Sequence, residues 1–160
     1  MAAYIAAMDS IDRKILDHIQ RQGRDSYAEI GAAAGLSVSA VNERLKKLEK
    51  QGVIAGWAGR VDPQAAGCPV LAFVHVLIER PEHEAAFLAL VRDEPAILEC
   101  HHVTGDWSYL LKVRAASLAA LEDVIARRIK ALPGIPRSQT VIALSSAKET
   151  AALPIGTDTP

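Results

Sequence analysis

The sequence predicts an all-α unit followed by an α+β unit. Apolar residues recur at helical spacing up to about residue 51, and Pro and Gly cluster between Val61 and Pro69. Beyond them, short apolar runs alternate with two helical stretches. The chain has 160 residues, half of them apolar. That is enough to bury a core, as one compact domain or as two small ones.

In the first unit Ile11, Ile15, Leu16 and Ile19 lie on one face of a helix expected from Asp9 to Gln22, which Gly23 ends. Ser26 followed by Glu29 has the form of a capping box and opens a short helix to about Ala34. Gly31 lets another helix approach closely, and Gly35 suits a left-handed stop. Ser37 then caps a third helix from Val38 to about Gln51. Helix, glycine turn, helix is the arrangement of a DNA-reading unit, although small helical bundles share it. Ala55 to Val61 is β-prone and reads as a wing or a linking strand.

Charge sharpens that reading. Residues 1–60 carry nine Lys and Arg against seven Asp and Glu, whereas residues 61–160 carry nine against twelve. At about 100° per residue, Leu45 and Leu48 fall within about 40° of Val41, while Ser39, Glu43, Lys46 and Lys50 fall near the opposite pole. Asn42 and Lys47 flank that pole, and Arg44 lies at the edge of the apolar stripe. The candidate DNA contacts are therefore Ser37, Ser39, Asn42, Glu43, Arg44, Lys46, Lys47 and Lys50, the alternative being an ordinary solvated face.

The expected boundaries are 1–61 for a helix-turn-helix unit, 62–69 for a linker, 70–147 for the second unit and 148–160 for a tail. Val70 to Glu79 is a strand apolar on both alternating faces, so it needs two covers, helices on one side and another subunit's sheet on the other. A helix over 82–93, a strand over 97–103, a turn at Thr104-Gly105-Asp106, a strand over 108–114, a helix over 118–132 and a strand over 138–144 follow. This β-α-β-β-α-β order is ferredoxin-like. In the tail, Leu153 and Ile155 are the residues able to dock. The turn places backbone N–H groups and one carboxylate at a domain edge, and Trp107 can cover an apolar group or stack on a cation. Thr104, Gly105, Asp106 and Trp107 thus form a candidate effector site. Equally, Asp106 can serve the turn alone and Trp107 can plug a subunit interface.

Other classes find little here. No apolar stretch is long enough to span a membrane, and Cys68 and Cys100 have no CxxC partner, so a cytoplasmic protein with reduced thiols is expected. Glycine-rich phosphate loops, GxSxG and HExxH are absent. No catalytic residue, metal ligand or resident cofactor is assigned.

Asp9-Ser10-Ile11-Asp12-Arg13-Lys14-Ile15-Leu16, Gly35-Leu36-Ser37, Val41, Arg44 to Glu49, Gly52-Val53-Ile54, Leu98 to His101, Val103 to Asp106 and Tyr109 to Val113 together resemble the leucine-responsive/asparagine-regulator (Lrp/AsnC) family over Asp9 to about Lys148. The resemblance implies a winged helix-turn-helix transcription regulator that binds double-stranded DNA. It further implies dimers through paired C-terminal sheets, assembly into tetramers or octamers, and an amino-acid effector near Thr104 to Trp107. The family commonly has an aromatic then an acidic residue after Gly-Asp; here Trp107 is followed by Ser108, which favours a neutral effector. The rival readings are an enzyme similar to siroheme decarboxylases and a metabolite sensor that does not bind DNA. An enzyme would draw on His75, His83, His101 and His102, but neighbours in a strand face opposite sides.

Overall fold

The structure is a computed structural model and describes residues 8–156. Among the described residues the chain divides into two compact units, residues 8–59 with 148–156, and residues 60–147.

In the first unit α1 spans Ser10–Arg21, α2 Tyr27–Ala34 and α3 Val38–Lys50. Each start is chemically marked. The Asp9 carboxylate accepts the Asp12 N–H, Ser26 and Glu29 form the complete capping box, and the Ser37 hydroxyl accepts the Ala40 N–H. Ile15, Leu16, Ile19, Ile30, Val41, Leu45, Leu48 and Ile54 make the core. Gly35 stops α2 at φ +72°, which favours glycine. A Cβ on Gly31 would lie 2.6 Å from the Leu36 carbonyl oxygen, so the close approach is that of the turn backbone.

The wing or linking strand expected over 55–61 does not form, since this segment is irregular throughout. Trp57 instead donates its indole N–H to Glu49 Oε1 at 2.9 Å, tying the segment to the end of α3. Residues 148–156 accompany this unit. The Leu153 N–H donates to Gln20 Oε1 at 2.6 Å, the Gln20 amide donates back to the Leu153 carbonyl at 3.3 Å, and Ile155 packs on the core.

The second unit is a four-stranded antiparallel sheet in the order β2-β3-β1-β4, from β1 (Val70–Leu77), β2 (Ile97–His102), β3 (Tyr109–Ala115) and β4 (Arg137–Ile142). The β1–β2 connection holds a 3-10 turn, Pro81–His83, and α4, Glu84–Asp93; α5, Leu118–Glu122, starts the β3–β4 connection. Both helices cover one sheet face, over Ala72, Val74, Val76, Leu111 and Val113. On the other face Phe73, His75 and Leu77 of β1 are only half-buried, so one chain provides one of the two covers its apolar pattern asks for.

The helix expected over 118–132 changes character. After Glu122 it widens into a π-helix, Asp123–Ile129, and Lys130 N–H donates to the Ile125 carbonyl. Val124 and Ile129 would lie about 140° apart on an α-helix. The wider winding turns both inward, and both are buried.

Candidate nucleic-acid interface and effector turn

The third helix separates its faces as its sequence requires. Val41, Leu45 and Leu48 are buried, and Ser37, Ser39, Glu43, Lys46, Lys47 and Lys50 are exposed; Asn42 is half-buried beside them. The Ser37 and Ser39 hydroxyls hydrogen-bond each other at 3.1 Å at the start of the helix.

Arg44 stands apart from this set. Its Nη1 donates to Asp9 Oδ2 at 2.7 Å and to Asp12 Oδ1 at 2.6 Å, which draws the guanidinium back onto α1. At the edge of the apolar stripe, where a phosphate contact was expected of it, Arg44 thus meets two carboxylates of its own chain. The Lys47 ammonium lies 3.5 Å from Asp12 Oδ2 and remains half-exposed. Hydrogen bonds to Asp9 and then Asp12 hold the Arg44 pKa above its ordinary value. Asp9 lies below the usual carboxylate range, first because it accepts the Asp12 N–H and then because of Arg44.

Neither Asp9 nor Asp12 was expected as a partner of Arg44. The available signal was the register of Asp12 with Ile15, Leu16 and Ile19 at i+3, i+4 and i+7, which puts a carboxylate in an apolar stripe and demands a cationic partner.

In the second unit Thr104, Gly105 and Asp106 are exposed between β2 and β3. Gly105 has φ +104°, a conformation L side chains rarely adopt, and open space where a Cβ would stand. Backbone bonds close the turn, because Val103 N–H donates to the Ser108 carbonyl and Ser108 N–H to the Val76 carbonyl, both at 3.0 Å. The Ser108 hydroxyl accepts the Ile78 N–H at 3.0 Å, so this residue splices the turn onto β1.

Trp107 lies over the open sheet face, its ring centroid 5.6 Å from that of His75 and the Arg137 guanidinium 4.7 Å from it. The cation stacked on Trp107 is thus the chain's own.

The histidines are dispersed. His83 packs against Gly134, where a Cβ would lie 2.0 Å from its ring. His101 lies 3.3 Å from Glu99, whereas His102 stacks on buried Tyr109 with centroids 5.0 Å apart, so the two neighbours do face opposite sides. The Tyr109 hydroxyl donates to Glu84, and burial followed by that carboxylate pushes its pKa up to about 12. Lys112, then His101, lowers the Glu99 pKa. Burial raises the Cys100 thiol pKa, which reduces its thiolate character. Among the described residues no group of three or more His, Cys, Asp or Glu is placed to hold a metal. No described helix is long and apolar enough to cross a membrane.

A three-helix unit with a capped, polar and basic third helix, in one chain with an α+β unit, has the arrangement of a helix-turn-helix protein with a second domain. Residues 8–49 match the AsnC-type helix-turn-helix domain and residues 71–153 the Lrp/AsnC ligand binding domain. The chain belongs to the Lrp/AsnC family. It is 36% identical over 146 residues to the leucine-responsive regulatory protein of Haemophilus influenzae, spanning 90% of this chain and 88% of that one. Among solved structures it is similar to a transcriptional regulator of Neisseria meningitidis in complex with L-Met, with TM-score 0.89 and 30% identity over 92% of this chain and 97% of that one. It is likewise similar to the feast or famine regulatory protein of M. tuberculosis complexed with L-methionine, with TM-score 0.85 and 34% identity over 94% and 100% of the two chains.

Proposed function

We propose that this chain is a sequence-specific regulator of transcription that binds double-stranded DNA, and that an amino acid modulates its DNA binding or assembly. The observation that carries the reading is the third helix, with an apolar face locked in the core and a polar, basic face in solvent. Residues near a helix N-terminus enter the major groove first, so Ser39, Asn42 and Glu43 are the base readers. Ser37, Lys46, Lys47 and Lys50 contact phosphates. Gel shifts with genomic fragments at two salt concentrations test this. Lys46→Ala weakens binding on every fragment and flattens the salt dependence, whereas Asn42→Ala costs about 1–3 kcal/mol on the preferred site only. Wild-type binding by both variants would remove this helix as the reader.

A second copy of the chain covers the open sheet face across a two-fold axis, which supplies the missing cover for Phe73, His75 and Leu77. Higher assembly builds on that dimer. A well-folded monomer at micromolar concentration in sedimentation would count against this.

The effector binds at Thr104 to Trp107, with Asp106 receiving its ammonium group and Gly105 admitting it to the backbone. Because Ser108 serves as a splice to β1, the turn lacks a second acidic anchor there, which favours a neutral amino acid. The L-methionine complexes of two relatives support the same class. Calorimetric titration of an amino-acid panel into the parent chain and Asp106→Ala tests the site, and equal affinities would move it elsewhere. The protein acts as a regulator in this reading, and its scattered histidines are given no catalytic role.

A further inference from the structure

Asp12 is 1% exposed and, among the described residues, the only buried charged side chain of the first unit. Its Oδ1 accepts from Arg44 at 2.6 Å and its Oδ2 faces Lys47 at 3.5 Å, while Asp9 takes a second bond from the same Arg44 nitrogen at 2.7 Å. Both carboxylates come from the start of α1, and both cations come from α3, three residues apart. The four charges cancel. Coulomb attraction at such separations is stronger beside a buried group than in water, and the pairs tie one side of α3 to the start of α1.

We propose that Asp12 is a positioning residue for DNA recognition: it fixes the azimuth of α3 and, with Asp9, keeps Arg44 out of the set of phosphate contacts. The proposal rests on the reading of α3 as the DNA-reading helix. It predicts an unusual sign. A carboxylate that only stabilised the fold would weaken all DNA binding when removed. A carboxylate that withholds a cation and aims the helix releases positive charge when neutralised, which strengthens indiscriminate binding and degrades discrimination.

The test is fluorescence anisotropy across a salt series with two duplexes, one of mixed sequence and one that the parent chain has enriched from a random pool, with thermal unfolding measured in parallel. Asp12→Asn is expected to steepen the logarithmic salt slope by about 0.9, the value of one more phosphate contact, and to bind the mixed duplex more tightly at low salt. Its preference for the enriched duplex is expected to fall about tenfold, the scale of one lost base contact. Asp12→Asn with Arg44→Gln returns the slope to the parental value and leaves the preference reduced. Equal weakening on both duplexes with an unchanged slope would overturn the inference. If Asp12→Asn does not fold, Arg44→Gln alone decides, because a slope about 0.9 shallower than the parent's would make Arg44 a phosphate contact after all. A parent chain that binds neither duplex overturns the DNA reading and this inference together, whereas a binding parent with the failures above overturns this inference alone.

Discussion

The polar face of α3 and the open face of the sheet both carry cations, yet they are built differently. On α3, Lys46 and Lys50 stand exposed at the pole opposite a sealed apolar core. On the sheet, Lys112 is paired with Glu99 at 3.1 Å and Arg137 is stacked on Trp107, with half-buried Phe73, His75 and Leu77 among them. A polyanion is met best by cations without carboxylate partners on a rigid surface. A protein partner is met best by apolar area whose charges are already compensated. The two faces therefore point to different kinds of partner.

Core substitutions should separate the two units most sharply. Leu45→Ala and Leu111→Ala each remove a fully packed side chain, at a cost of about 2–5 kcal/mol. Leu45→Ala is expected to abolish DNA binding while association persists, and Leu111→Ala to impair association first. Calorimetric melting with sedimentation checks this, and identical phenotypes would merge the two units functionally.

Alkali should act on the second unit through Tyr109. Tyr109 is buried and its folded pKa is about 12, against about 10 when unfolded. The folded form keeps its proton longer, so this stabilisation is fully present below about pH 10 and is lost as pH rises towards about 12. It amounts to on the order of 3 kcal/mol. Phenolate absorbance should rise together with the loss of sheet signal, and ionisation of Tyr109 near pH 10 in the folded chain would refute it.

Helix caps offer a smaller and symmetrical comparison. Ser26 caps α2 and Ser117 caps α5, each accepting the N–H three residues on. Replacing either with Ala is expected to cost about 1 kcal/mol by chemical denaturation. A markedly larger loss at Ser117 would mean that the π segment behind it depends on the cap.

Acid should act weakly on both units. Asp9 and Glu99 have lowered folded pKa values, so each contributes stability above the unfolded carboxylate range that fades as pH falls through the folded value. Both are solvent-accessible, so added salt should shrink the effect. A salt-independent acid transition would assign it to other carboxylates.

Much of this was legible in the residues because it depends on local chemistry. Ser26 with Glu29, Gly35 before Ser37, and the spacing of Val41, Leu45 and Leu48 declare caps, stops and a buried face without reference to distant parts of the chain. The order of strands and helices was readable for the same reason. The partners of Arg44 were not legible, because its position on a helical wheel says how far it lies from the core stripe, and nothing about which carboxylates another helix brings to it. Residues 55–61 were misjudged because β propensity is satisfied only by a partner strand, and Trp57 found Glu49 instead.

By itself the sequence determined where helices start, which faces are apolar and where the backbone must turn, since propensity, capping and periodicity act over a few residues. Only the tertiary structure decided the pairs that span long stretches of chain. Arg44 on Asp12, Trp107 beneath Arg137, Ser108 on Ile78 and Leu153 on Gln20 each join residues at least 30 positions apart. Such contacts depend on how packed elements meet in space, and hydrogen-bond and Coulomb energies fall off over a few ångströms whatever the separation along the chain.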